Sequence, residues 1–306
     1  MKKIFIGMPV YNGQKFIRDA IDSIINQTYN DWILYISDDS SKDSTPEICL
    51  EYTKKDPRIK YTRREKNLGL FGNFGFVLEE CSEPYFMWVA QDDLRDPKYL
   101  QICMEQFDKD PELDFATTCT ACIDQNGKTI SLEDELTIFT GKPSVFGVTR
   151  YIMHPEILGK CNLMYGLYKS PTARAVWEAY PQRNIWGQDY MFTLALISRF
   201  KIFVDKSPLF KKRLGGYSSP KAFESSDPVA ERKKLLKDAK NHIFPFGRFK
   251  IYLNGHIEAL RGTDYGILAV FLLFLRLPRS FIIHIKERDM RKIFPRIRKT
   301  LSKIIK

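Results

Sequence analysis

A repeated pattern constrains the fold more than any other feature: a short, almost wholly apolar run stops abruptly at polar residues, and a helical pattern follows. The first run is residues 3–10, KIFIGMPV, and it stops at Tyr11-Asn12. A strand apolar at consecutive positions is buried on both faces, as in a parallel sheet covered by helices on each side. Phe16, Ile17, Ala20, Ile21, Ile24 and Ile25 then recur at helical spacing. Trp32 to Ile36 predicts a second strand, Ile59 to Thr62 a third and Tyr85 to Val89 a fourth. Helices are predicted between them. One starts at Ser44-Thr45-Pro46-Glu47, where a capping hydroxyl, a first-turn proline and a glutamate reaching back coincide. Others cover 72–81 and 97–107. This alternation specifies βαβ units and a doubly wound α/β sheet.

Beyond residue 110 the pattern loosens. Leu113 to Cys119 and Leu163 to Lys169 predict strands, and Asn126-Gly127 a tight turn. Residues 131–160 predict loops with a short helix. Thr172 to Glu178 and Asp189 to Ser198 predict helices, Lys201 to Val204 and Pro208 to Arg213 two short strands, and the chain from Val229 onward helix.

Charge and cysteine content narrow the function classes. The net charge is +11, and from Arg276 to Lys306 eleven Lys or Arg stand against Glu287 and Asp289, so +9 of it lies in the tail. The basicity therefore belongs to the tail and not to a nucleic-acid-binding core; nucleic acid is not an expected partner. The start, MKKIFIGMPVYNG, imitates a signal peptide, but its apolar stretch ends at Val10 without a small-residue cleavage site and reads as a buried strand. Six scattered cysteines are expected to be reduced thiols. Cys119 and Cys122 form one CxxC with no second pair to complete a zinc site.

In open α/β sheets ligands bind beyond the carboxyl ends of the strands. The residues there are Tyr11-Asn12, Asp38-Asp39 and Gln91-Asp92-Asp93. Asp92-Asp93 suits a divalent cation on a diphosphate, which carries negative charge and gains more on leaving. Alone, the dipeptide is better explained as a turn cap. A carboxylate in Asp38-Asp39 suits the imide N–H of a pyrimidine, and Tyr11 a stacking platform. Asn67-Leu68-Gly69-Leu70-Phe71-Gly72-Asn73 allows close backbone approach to phosphate or ribose. Asp189, in Trp186-Gly187-Gln188-Asp189-Tyr190, suits a general base and equally a helix cap.

Together, Pro9-Val10-Tyr11-Asn12, Ser37-Asp38-Asp39 with Ser40 to Thr45, Asn67-x-Gly69-x-x-x-Asn73, Gln91-Asp92-Asp93 and Gln188-Asp189 resemble the family-2 glycosyltransferases of the GT-A fold over roughly residues 3–215. The resemblance implies a Rossmann-like, mostly parallel central sheet flanked by helices, with a mixed acceptor half. It implies a nucleotide-sugar site built from Pro9, Tyr11, Asn12, Asp39, Asn67, Asn73, Gln91, Asp92 and Arg213. Asp39 would read the base, Asp92 and Asp93 would hold Mg²⁺ or Mn²⁺ with the diphosphate, and Asp189 would be the base of an inverting transfer. Two positions depart from the family pattern: Ala90 stands where an aspartate is common, and Gly215 where a histidine often helps ligate the metal. Arg213 or Lys212 is then a candidate to supply positive charge to the diphosphate.

The expected organisation is a glycosyltransferase domain over 1–225, with a nucleotide-sugar half at 1–120 and an acceptor half at 121–225. A basic helical region covers 226–306. There Met290, Ile293, Phe294, Ile297, Leu301, Ile304 and Ile305 share one helical face opposite many cations. That pattern points to an anionic membrane surface. The enzyme is thus expected to be cytoplasmic and peripheral at the inner membrane face, acting on a glycan or lipid-linked acceptor in surface polysaccharide synthesis. A nucleotidyltransferase and an inactive GT-A-like scaffold are the competing readings.

Overall fold

The computed structural model describes residues 3–153, 159–179, 188–214, 249–273 and 275. Strands β1 (Ile4–Val10), β2 (Trp32–Asp38), β3 (Ile59–Arg63) and β4 (Tyr85–Trp88) alternate with helices α1 (Ile17–Ile25), α2 (Thr45–Lys55) and α3 (Gly69–Glu79). β3, β2, β1 and β4 lie side by side and are all parallel. The strands then become mixed. β5 (Leu94–Arg95), α4 (Tyr99–Lys109), β6 (Phe115–Ile123) and β7 (Thr129–Glu133) are followed by a 3-10 helix over Glu135–Phe139 and by α5 (Val145–Met153). A second 3-10 helix, Lys160–Tyr165, leads into β8 (Leu167–Lys169), α6 (Ser170–Ala179), α7 (Gln188–Ile197) and β9 (Ile202–Arg213). β8 joins β4 to β6 with both pairings antiparallel, and β6 runs parallel to β9, which carries β5 on its edge. The parallel sheet expected from the sequence thus holds from β3 to β4, and the mixed half implied by the family resemblance begins at β8.

The apolar strands are covered on both faces. Ile4, Ile6, Met8, Tyr85 and Met87 face α1, α2 and α4, while Phe5, Phe86 and Trp88 face α3, α6 and α7. Trp88 is the hub of the second layer: its indole N–H donates to Phe74 O at 3.0 Å, and Phe86, Tyr168 and Phe192 meet it edge-on. α3 lies so close to β1 that a Cβ on Gly7 would fall 2.8 Å from Val77 Cγ2. The same layer takes in α8 (Phe249–Ala259) and a helical segment over 266–273 through Ala259, Ala269, Leu272 and Leu273.

Several local expectations are revised. Lys201 to Val204 and Pro208 to Arg213 form one strand, β9, whose register against β6 shifts between Thr118 and Thr120. Pro208 falls within this irregular stretch, where Asp205 accepts the Ser207 N–H at 2.8 Å. Leu163 to Lys169 splits between a 3-10 turn and β8, and residues 131–160 hold the end of β7 and a 3-10 helix besides the expected short helix, α5. α3 starts three residues earlier than expected, at Gly69, where φ is +76°. The capping box at Ser44 does not form; Asp43 Oδ1 instead accepts the Thr45 N–H and hydroxyl. Cys119 and Cys122 are buried, reduced thiols whose Sγ atoms meet Asp134 O and Glu133 Oε1 respectively; three residues apart on a strand, they point to opposite faces. Gly215, Trp186, Gly187 and the basic residues of 276–306 lie outside the described residues.

Candidate active site

The loops after β1, β2 and β4 are stitched to one another by short polar contacts. Gln91 clasps the main chain of Tyr11: its Oε1 accepts the Tyr11 N–H at 2.9 Å, and its Nε2 donates to Tyr11 O at 3.1 Å. Asn12, with φ +50°, donates its N–H to Ser41 Oγ and accepts the Lys42 N–H through Oδ1, both at 2.8 Å. Asn73, on α3, donates to Ser37 O at 2.8 Å and accepts the Ser37 hydroxyl at 2.6 Å. These groups satisfy backbone atoms that the strand ends leave without ladder partners.

The two adjacent aspartates after β2 do different work. Asp38 is fully buried; its Oδ1 accepts the Ser41 N–H at 2.9 Å, and its Oδ2 the Tyr61 hydroxyl at 2.8 Å. Asp39 points to the start of α3, where Oδ1 accepts the Leu68 N–H at 2.7 Å and Oδ2 the Gly69 N–H at 3.0 Å. Asn67 donates to Asp39 O at 2.9 Å and holds the same loop. Burial raises the Asp39 carboxyl above the ordinary carboxylate range, while the Leu68 and Gly69 amides and the Arg64 cation oppose that rise.

A cleft of about 430 Å³ opens over these strand ends, within the range of small-ligand sites. Pro9, Tyr11, Asp39, Asn67, Asn73, Gln91, Asp92, Asp93 and Arg213 all line it. Of the expected site residues, Asn12 is not in the lining and Asp189 is set back in the first turn of α7. Asp189 Oδ1 accepts the N–H of its neighbour Tyr190 at 2.9 Å. Its charge reaches Cys161, whose thiol is held well above its usual range by burial and then by Asp189. It also reaches Tyr165, where burial raises the phenol, the Lys212 cation opposes, and Asp93, Asp189 and Asp92 add to the rise. Tyr165 lines the cleft and feels the charges of Asp92, Asp93 and Asp189 together. It was missed in the sequence because it falls inside a predicted strand. The signal against that strand was Gly166, where a Cβ would collide with the Phe115 ring.

Arg213 has a different role from the expected diphosphate contact. Its N–H donates to Asp93 Oδ1 at 2.9 Å, and its Nε to Asp92 O at 2.9 Å. Its Nη1 donates to Asp124 O and Gln125 O, its Nη2 to Asp19 Oδ2 at 3.2 Å, and its guanidinium lies 4.3 Å over the Phe16 ring. Arg213 therefore straps the Asp92–Asp93 turn to the end of β9, with its donors on protein acceptors. Among the described residues no group of three or more His, Cys, Asp or Glu is arranged to hold a metal. The residues present still fit Mg²⁺ or Mn²⁺, which take one or two carboxylates together with substrate phosphates and retained waters. Asp93 Oδ2 makes no hydrogen bond to any described residue.

Comparison with known proteins identifies the family and the fold. The model of glycosyl transferase family 2 matches residues 5–163. An uncharacterized glycosyltransferase of Methanocaldococcus jannaschii is 25% identical over 215 residues, 69% of this chain and 70% of that one. The chondroitin synthase of Escherichia coli is 31% identical over 128 residues, 42% of this chain, which spans only 18% of that protein's length. Among solved structures, residues 1–349 of S. aureus TarS in complex with UDP-GlcNAc superpose with a TM-score of 0.59 at 16% identity, over 95% of this chain and 92% of that one. That likeness shows the GT-A fold. The model match over half of the sequence shows the family: this chain belongs to glycosyl transferase family 2.

Proposed function

We propose that this glycosyltransferase moves a sugar from a nucleoside-diphosphate donor to a hydroxyl of a glycan or lipid-linked acceptor, with inversion, in surface polysaccharide synthesis. The observation that carries the reading is the shared cleft, which Asp39 after β2, Asp92 and Asp93 after β4, and Tyr165 all line, with the charge of Asp189 felt at Tyr165. Asp39 retains lone pairs beyond those given to Leu68 and Gly69, and they suit a base imide N–H. Tyr11 lines the nucleotide pocket, and Asn67, Asn73 and Gln91 hold its walls. Asp92 and Asp93 would hold Mg²⁺ or Mn²⁺, which when bound neutralises charge on the departing diphosphate. Asp189 takes the proton of the acceptor hydroxyl as its oxygen attacks the anomeric carbon. The bond from that carbon to the diphosphate oxygen breaks, and the diphosphate leaves with the electron pair. One displacement on the opposite face inverts the centre.

Membrane contact through the C-terminal region is part of the same proposal. Ile267, Phe271 and Leu275 recur every four residues and are 88%, 60% and 52% exposed, and the basic stretch 276–306 follows them directly. No helix among the described residues is long and apolar enough to cross a membrane, so the expected mode is surface attachment. The function is tested with a nucleotide-sugar panel read by thermal shift in Mg²⁺ or Mn²⁺, because a donor that binds the native state raises its melting temperature. Release of UDP, GDP or dTDP from the stabilising donor supports transfer. Release of pyrophosphate identifies a nucleotidyltransferase, and neither product a scaffold. Flotation with anionic liposomes, with and without residues 264–306, tests the membrane part; equal recovery of both forms in the soluble fraction rejects it.

A further inference from the structure

The geometry points to Lys212 as the cation that contacts the donor's diphosphate directly, and this rests on the nucleotide-sugar reading above. The family pattern offers further metal ligands where this chain has Ala90 and Gly215. Arg213 is not available to supply positive charge to the diphosphate in their absence, because its Nε and both Nη atoms bond protein acceptors. Lys212 is the preceding residue on β9 and lines the cleft together with Asp92, Asp93 and Tyr165. Its ammonium lies 5.3 Å over the Tyr165 ring and forms no hydrogen bond or ion pair with any described residue. Such a group in a lined cleft has three donors directed at whatever enters. Its charge is secure: burial opposes it, but Asp93, Tyr165, Asp92 and Glu133 outweigh burial and hold the ammonium above its ordinary pKa. The protein thus places one cation beside two carboxylates, so that a bound diphosphate would meet Lys212 on one side and, on the other, the divalent cation that Asp92 and Asp93 would hold.

The strap through Arg213 fixes the distance between these charges. Arg213 N–H on Asp93 Oδ1 locks the β9 end to the acidic turn, so Lys212 and Asp93 move as one unit. A lysine there acts as a point charge that tolerates a diphosphate changing shape as the sugar leaves.

The test is calorimetry on the full chain in Mn²⁺ buffer with UDP, GDP and dTDP, each beside its nucleoside observed by saturation-transfer NMR. It compares wild type, Lys212→Met and Lys212→Arg. Lys212→Met is expected to weaken the diphosphate that wild type binds by tenfold or more, to leave the matching nucleoside within twofold, and to be largely restored in Lys212→Arg. The proposal falls if Lys212→Met binds the diphosphate within twofold of wild type, or if nucleoside and diphosphate weaken equally, which is the mark of a structural role. If wild type binds none of the three diphosphates, the nucleotide-sugar reading fails first and this inference with it.

Discussion

The two ends of the cleft are built in opposite ways. At the Asp39 end the holding contacts come from short side chains close by in the parallel half: Gln91 on Tyr11, Asn67 on Asp39, and Asn73 of α3 on Ser37. At the Asp93 end the geometry is set by Arg213, 120 residues further along the chain. One end is stitched by short side chains to adjacent backbone, and the other is pinned by a single long strap. The first suits recognition of a flat, rigid base, and the second suits a diphosphate whose charge changes during reaction. Base recognition and sugar transfer should therefore be separable by mutation.

The largest expected effect breaks transfer alone. Asp189→Asn should lower turnover by about 10³-fold, the range for loss of a general base, with donor affinity by calorimetry kept within twofold. A loss of affinity instead would make Asp189 a donor ligand. Asp93→Asn should cost about 10²-fold in metal-stimulated turnover, measured as nucleoside diphosphate release across an Mn²⁺ titration; a mild effect would mean that the donor is held some other way. Arg213→Ala leaves the main-chain N–H on Asp93 but removes the Nε bond to Asp92 O and the Nη bonds to Asp124 O, Gln125 O and Asp19, and should cost about 2 kcal/mol of stability, the scale of a few buried charge-assisted hydrogen bonds. Its melting temperature should drop and its diphosphate affinity should weaken, while nucleoside binding persists. Equal melting temperatures would remove the strap from the account.

The smallest effect sharpens the Asp39 end and depends on pH. Burial raises the Asp39 carboxyl in the folded state, so between its unfolded and folded pKa values the folded chain holds more protons. Stability therefore falls as pH rises through that window, just above the ordinary carboxylate range, and Asp39→Asn should abolish this slope in urea melts across pH. Donor affinity should run the other way and decline as pH is lowered through the same window, because a protonated Asp39 loses acceptor capacity. A flat affinity profile would remove Asp39 from base recognition.

The same contrast explains what was legible in the sequence. β1 and β4 announce themselves because they are buried on both faces, β2 is nearly so, and β3, an edge strand with Lys60 and Arg63 exposed, reads more weakly; the polar residues after β1, β2 and β4 mark the cleft. The Asp93 end depends on structure that sequence patterns describe poorly. β5 has two residues and β8 three, too short for any periodicity. β9 reads as two strands because Pro208 interrupts it, yet the Thr118 hydroxyl accepts the Phe210 N–H at 3.1 Å and carries the pairing through the irregularity. Arg213 was picked out correctly as a cleft residue, but its charge pointed to a ligand when its many donors served main-chain carbonyls. Asp38 and Asp39 are alike in residue pattern, the family resemblance singles out Asp39, and the structure puts the Tyr61 hydroxyl on Asp38 and the α3 amides on Asp39.

The strap also dates the site within folding. β6 and β9 pair in parallel across a long stretch of intervening chain, and pairings of that kind close late because the loop entropy must be overcome before they form. A chain with β1 to β4 assembled and β9 still undocked would hold a base pocket with no phosphate grip. Under the proposed function, such a molecule would bring its base-recognising residues together before Lys212 and Arg213 of β9 reach the cleft.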